Sequence, residues 1–159
     1  MNFPKPLIIA GGTPTFPIHK KRTGVELSPG TPLLWDHGYG VNFQDLKFLP
    51  AAVLLTKIIS KPASNLLCFD LGHKSVASEM ELPRVHFLGN NESFLQISQS
   101  EEHLVVECKD SSSYQVGDTC YAIPVHICPT VAKHPYVFSV KNHQITGKWE
   151  VKARDHYLK

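Results

Sequence analysis

An imidazole and a thiol stand two residues apart in Pro124-Val125-His126-Ile127-Cys128-Pro129-Thr130. Alternate residues of a strand project to one face, so an extended chain would aim His126 and Cys128 at one point, with Val125 and Ile127 packing behind. Imidazole plus thiolate is a borderline-soft donor pair that suits Zn²⁺. Two protein donors fall short of the four in a structural zinc site, so a metal here would keep positions open to water or substrate, as catalytic zinc does. The same residues equally describe a buried histidine beside a buried free thiol. His103, in Ser100-Glu101-Glu102-His103, is a candidate further ligand or a support for one, and equally a solvated strand end.

Gly11-Gly12-Thr13-Pro14-Thr15 follows the apolar run Leu7-Ile8-Ile9-Ala10. Successive glycines let backbone N–H groups approach an anion, and threonine hydroxyls add donors, which suits a phosphate. In α/β barrels phosphate sites lie in loops after the last strands. A plain tight turn would be written the same way. In Cys68-Phe69-Asp70-Leu71-Gly72-His73-Lys74, Asp70 has the choice of orienting His73, pairing with Lys74 or ending a strand by turn chemistry. Trp35-Asp36-His37-Gly38-Tyr39 supplies a base, a phenol and a flexible turn, but its spacing selects no reaction.

The elements that must position these groups are mostly strands. Ten glycines and twelve prolines punctuate short β-branched or aromatic runs, which is the pattern of an all-β segment. Strands are expected at 7–10, 32–35, 52–59, 66–69, 84–88, 94–97, 104–108, 119–123, 135–140 and 144–151. One helix is expected from Asn42 to Leu49, with Asn42 capping and Phe43, Leu46 and Leu49 sharing a face. Ser111-Ser112-Ser113 and Lys141-Asn142-His143 read as hairpin tips. The resulting fold class is mainly β: a C-terminal barrel or sandwich domain of about eight strands. The first strand differs, because a continuous apolar run belongs in a parallel sheet covered by helices. It reads as the last strand of an incomplete α/β barrel, with the phosphate loop behind it.

Composition excludes several function classes. Sixteen Lys+Arg against fourteen Asp+Glu leave a formal charge of +2, and Lys20-Lys21-Arg22 is the one basic cluster, so nucleic-acid binding through a dense positive field is not expected. The longest apolar stretch, Leu49 to Leu55, is seven residues and begins Leu-Pro, whereas a spanning helix needs about 20. The opening residues lack the core and basic flank of a signal peptide. A cytoplasmic protein is expected. Its four cysteines, which form no C-x-x-C pair, are then free thiols or metal ligands rather than a disulfide framework.

Taken in order, six segments carry a resemblance. They are Gly11-Gly12-Thr13-Pro14-Thr15; Glu26-Leu27-Ser28-Pro29-Gly30-Thr31 leading into Trp35-Asp36-His37-Gly38-Tyr39; Asp70-Leu71-Gly72-His73-Lys74; Ser100-Glu101-Glu102-His103; Val116-Gly117-Asp118; and Pro124 to Thr130. Over nearly the whole chain, from about Leu7 to Arg154, the sequence resembles the C-terminal part of the D-threonine aldolase and D-serine dehydratase family. Its most specific piece is His-x-Cys-Pro-Thr after Val-Gly-Asp. The resemblance implies a metal-activated pyridoxal phosphate enzyme with an alanine-racemase-like barrel followed by a β domain. It implies that residues 1–23 end the barrel and that residues 24–159 form the β domain carrying the metal site. It implies that Gly11, Gly12 and Thr13 hold the cofactor phosphate, that Tyr39 lines the cofactor pocket, and that His126 and Cys128 hold the metal. Zinc suits these donors, manganese is the alternative, and Mg²⁺ avoids thiolates. The implied substrate is a β-hydroxy D-amino acid and the implied assembly a homodimer.

One departure qualifies the match. The family's Schiff-base lysine lies near the start of the barrel, and no lysine here occupies that motif: Lys5 precedes the apolar run, and Lys20 and Lys21 fall in a charged loop. Without it the cofactor is not held covalently in the usual way. The expectation is therefore a fragment or split-gene product that needs a separate N-terminal barrel segment for activity. The favoured activity is retro-aldol cleavage to glycine and an aldehyde. The alternatives are dehydration to a keto acid and ammonia, and a non-catalytic β module that docks on a separately encoded barrel. Cysteine as second ligand resembles the dehydratase branch, whereas the Gly-Gly-Thr-Pro-Thr and Ser-Glu-Glu-His segments resemble the aldolases.

Overall fold

The computed structural model describes residues 4–89 and 93–155. The chain opens with β1 (Ile8–Gly11), a single turn of helix α1 (Phe16–His19) and β2 (Val25–Ser28). β1 and β2 pair in parallel, Ile8 with Val25 through Gly11 with Ser28. The parallel setting expected of the apolar run is thus present, although β2 itself was not foreseen in so short a polar stretch. The two isoleucines of β1 remain open: Ile8 is 45% exposed and Ile9 59%.

A six-stranded antiparallel sheet forms the body. Its strands are β3 (Leu54–Ala63), β4 (Leu66–Phe69), β5 (Val85–Phe87), β6 (Leu95–Gln99), β7 (Leu104–Glu107) and β8 (Thr119–Pro124), in the order β5-β8-β3-β4-β7-β6. Alternation sends Val85 and Phe87, Leu104 and Val106, and Cys120 and Ala122 inward. Phe87 and Phe94 each pack on Phe69, with ring centroids 5.1 and 5.8 Å away. Each fully buried apolar side chain contributes about 1.5–3 kcal/mol relative to exposure. The sheet curls into a half-barrel. Its outer strands are joined by a side chain, since the buried Gln96 of β6 accepts from Arg84 N–H at 2.8 Å and donates to the Val85 carbonyl at 2.6 Å. A separate hairpin, β9 (Tyr136–Lys141) and β10 (Gln144–Glu150), completes the eight strands expected of the β domain. Asn142 and His143 turn it with φ of 52° and 63°, as a tight two-residue turn requires. Among the described residues no helix is long and apolar enough to cross a membrane.

Three expectations are corrected. Residues 32–35 are not a strand: Thr31–Leu33 is a 3-10 turn with proline in its first positions, and Trp35 follows in the left-handed region at φ 54°. The helix lies at α2 (His37–Asn42) instead of running from Asn42 to Leu49. Asp36 is its cap, while the Asn42 side chain donates to the Gly38 carbonyl at the far end. Ser111-Ser112-Ser113 is not a hairpin tip, because Ser111 folds back on the β3–β4 turn, its N–H 2.8 Å from the Ser64 carbonyl.

Two glycines mark backbone crossings that hold the framework together. A Cβ at Gly38 would lie 2.5 Å from the Val125 carbonyl oxygen, which accepts the Gly38 N–H at 3.1 Å. A Cβ at Gly72 would lie 2.2 Å from the Glu101 carbonyl oxygen, where His73 and Lys74 donate to Ser100 and Glu101. Asp36, only 1% exposed, supplies the other tie: Oδ1 accepts the Tyr39 N–H at 2.8 Å, and Oδ2 accepts the Ile127 N–H at 3.0 Å. Asparagine there would set its own N–H₂ against one of these donors. Urea unfolding of Asp36→Asn is expected to show a loss of about 2 kcal/mol or more, from hydrogen bonds to a charged acceptor. Gly72→Ala is expected to lose about 1–3 kcal/mol by overpacking. A midpoint unchanged for either variant would contradict the assignment of that contact.

Candidate metal centre

The His126-x-Cys128 segment is a strand-to-helix junction, not a strand. β8 ends at Pro124, His126 is extended (φ −131°, ψ 105°), and α3 (Ile127–Val131) begins at the next residue. Two residues account for the change. Pro129, which has no N–H, falls in the first turn, where none is needed. Thr130 donates its hydroxyl back to the His126 carbonyl at 2.7 Å. Ile127 and Thr130 turn inward, and Cys128, in the first turn of α3, is exposed.

Each member of the pair makes a side-chain hydrogen bond. Glu79 Oε1 lies 2.5 Å from His126 Nδ1, and Thr31 Oγ1 lies 3.3 Å from Cys128 Sγ. Desolvation alone would raise the Glu79 carboxyl, but its own backbone N–H, His126 and the charge of Arg84 together hold it below the usual range. Tyr39 projects from α2 close enough for Cys128 to act on it. Burial first, then the Cys128 and Asp36 charges, push its phenol up. Beside it His37 and His86 stack with centroids 4.2 Å apart and planes 3° from parallel. Burial and then His86 lower the His37 imidazole.

The donor chemistry fits a divalent metal. With Nδ1 facing a carboxylate, His126 has Nε2 left for coordination, and the exposed Cys128 supplies a sulfur donor beside the Thr31 hydroxyl. Among the described residues no group of three or more His, Cys, Asp or Glu converges, so these residues alone do not fill a coordination shell. The loop at Gly11-Gly12-Thr13 follows β1 directly. Gly12 has φ 88°, and a Cβ there would approach Thr15 Oγ1 to 3.2 Å. Thr15 in turn bonds the Gly11 and Gly12 carbonyls at 3.3 and 3.2 Å. Thr13 is buried. A chain of rings joins this loop to the pair: Phe16 of α1 meets Phe48 at 6.2 Å, Phe48 meets Trp35 at 5.1 Å, and Trp35 meets Tyr39 at 5.8 Å.

Other sequence candidates have structural work. Asp70 accepts from the Thr56 hydroxyl at 2.6 Å and the Lys57 N–H at 2.7 Å, so it orients neither His73 nor Lys74. Lys74 pairs with Glu101 and Glu102 instead. His103 is exposed on the β6–β7 turn. Glu79, Thr31 and Thr130 escaped sequence reasoning. Thr31 and Thr130 carry no signal beyond their place in two recognisable segments, and Glu79 sits in an aperiodic stretch with none.

Residues 51–140 match the sequence family described as "Putative serine dehydratase domain". The chain is 27% identical to D-threonine aldolase of an Arthrobacter species over 132 residues, covering 81% of this chain and 34% of that protein. It is 32% identical to 3-hydroxy-D-aspartate aldolase of Paracoccus denitrificans over 104 residues, covering 65% and 26%. It thus spans about a third or less of the length of these curated relatives. In fold it is similar to D-threonine aldolase from Filomicrobium marinum (TM-score 0.72, 22% identity, 92% of this chain and 41% of that one). It is also similar to D-threo-3-hydroxyaspartate dehydratase from Delftia sp. HT23 (TM-score 0.75, 18% identity, 98% and 45%). Two further similar structures are of a D-threo-3-hydroxyaspartate dehydratase with a histidine replaced by alanine, and with a cysteine two positions further on replaced by alanine in the metal-free form. Since the matched residues make up more than half of its length, the chain belongs to the serine dehydratase domain family.

Proposed function

We propose that this chain is the C-terminal portion of a metal-activated pyridoxal phosphate lyase that cleaves β-hydroxy D-amino acids, in the manner of a D-threonine aldolase. The observation that carries the reading is the β8–α3 junction, which leaves His126 Nε2 and an exposed Cys128 thiol as donors beside Tyr39. His126 and Cys128 hold the divalent metal, zinc by donor type and manganese as the alternative. The Thr31 hydroxyl, donating to Sγ, stabilises the thiolate that coordination requires. Gly11, Gly12 and Thr13 hold the cofactor phosphate through backbone N–H groups and the threonine hydroxyl. Tyr39 closes the cofactor side of the site. When bound, the cofactor would supply an electron sink for the substrate Cα, and a metal held by His126 and Cys128 would supply a Lewis acid for the substrate β-hydroxyl. The Schiff-base lysine comes from an N-terminal barrel segment, of which residues 1–23 are the end, and the complete enzyme is a homodimer.

One observation favours a second reading, a dehydratase that releases a keto acid and ammonia. The second donor here is a thiol, and a histidine and a cysteine at the same spacing were the residues replaced in the D-threo-3-hydroxyaspartate dehydratase variants, the cysteine variant being solved in a metal-free form.

Metal analysis of the purified chain is expected to find stoichiometric zinc, lost in His126→Ala and in Cys128→Ala. In the complete enzyme the same variants, or chelation, should lower turnover at least about a hundredfold, since Lewis-acid stabilisation is worth several kcal/mol. Glycine and acetaldehyde from D-threonine would support the aldolase, and pyruvate from D-serine the dehydratase. A chain purified free of metal that takes up none on addition would contradict both.

A further inference from the structure

We propose that Glu79 is a positioning residue for the metal, fixing which nitrogen of His126 is free to coordinate. This inference rests on the metal reading of His126 and Cys128 above. A neutral imidazole carries one N–H and one lone pair, and only the lone pair binds a metal. Glu79 Oε1, 2.5 Å from Nδ1, holds the proton on Nδ1 and leaves the Nε2 lone pair bare. Once a metal is bound, the same carboxylate increases the electron density the ring donates.

Glu79 and His126 are each about half exposed, at 46% and 37%, and an exposed ion pair by itself is worth little. What distinguishes this one is the segment that delivers Glu79. The Ser75 carbonyl meets His134 Nε2 at 2.8 Å. The Ala77 N–H donates at 3.1 Å to Thr130 Oγ1, whose own hydroxyl donates to the His126 carbonyl at 2.7 Å. Residues 75–77 are thereby pinned to α3 and the residues just after it. Glu79, two residues beyond, meets the histidine that precedes the same helix. Glu79 does not join His126 and Cys128 as a third ligand, since no such cluster forms among the described residues. Its part is orientation.

The test uses the chain itself, with zinc as the probe in competition with a chromophoric chelator. Zinc affinity should fall about 10–100-fold in Glu79→Ala, the usual cost of losing such a supporting carboxylate, and less in Glu79→Gln, whose amide oxygen still accepts the Nδ1 proton. A second readout needs no metal. Long-range ¹⁵N NMR of histidine-labelled chain, at a pH of about 8 where a free imidazole is neutral, should show His126 protonated on Nδ1. In Glu79→Ala the proton should move toward Nε2, with the His126 signal assigned by its loss in His126→Ala. Zinc affinity in Glu79→Ala within threefold of wild type, or an unchanged tautomer, would overturn the proposal while leaving the metal site standing. Failure of the wild-type chain to bind zinc would instead overturn the metal reading, and the tautomer would still decide the role of Glu79.

Discussion

Asp36 joins two short helices that neither propensity nor length would make stable. Its buried carboxylate accepts one backbone N–H from α2 and one from the start of α3, across ninety-one positions of sequence. A helix of five or six residues is marginal in isolation, because nucleation fixes several residues for a single hydrogen bond. Each therefore depends on what its terminus meets. By tying the first turn of α2 to the Ile127 N–H, Asp36 sets where β8 gives way to α3, and so where His126 and Cys128 emerge. Gly38 works in the same place, since only a residue without Cβ lets α2 approach the Val125 carbonyl.

The same tie connects the two halves of the proposed site. Trp35 precedes Asp36 in a left-handed conformation that costs a residue of its kind about 1–3 kcal/mol. Burial of its ring between Tyr39 and Phe48 offsets that strain. Phe48 reaches Phe16, the first residue after the glycine loop and its threonines. Four rings in series, Phe16, Phe48, Trp35 and Tyr39, thus run from the glycine loop to the helix beside His126 and Cys128.

Strands such as β4 and β7 were legible because Leu-Leu-Cys-Phe and Leu-Val-Val-Glu are short β-rich runs bounded by turn residues, and the Asn142-His143 turn because it needs residues tolerant of positive φ. The candidate site was legible as residue types but not as geometry. Alternation on a strand was the reason for pairing His126 with Cys128, yet the chain turns helical between them, a choice made by Pro129, Thr130 and a carboxylate remote in sequence. α2 was misplaced for a related reason: two glycines in six residues argue against a helix, and what overrides them is a crossing with β8 that local pattern does not encode. Glu79 and Thr31 are first neighbours of the candidate ligands only through tertiary contacts, one from a loop and one from a turn.

The central claim is that an imidazole and a thiolate at the β8–α3 junction share one metal ion. X-ray absorption at the zinc edge on the zinc-loaded chain measures this directly. The account predicts a single sulfur neighbour at about 2.3 Å with nitrogen or oxygen neighbours at about 2.0–2.1 Å, and loss of the sulfur shell when Cys128 is replaced by alanine. A zinc shell without sulfur in the unaltered chain, or one whose sulfur survives that replacement, would contradict it.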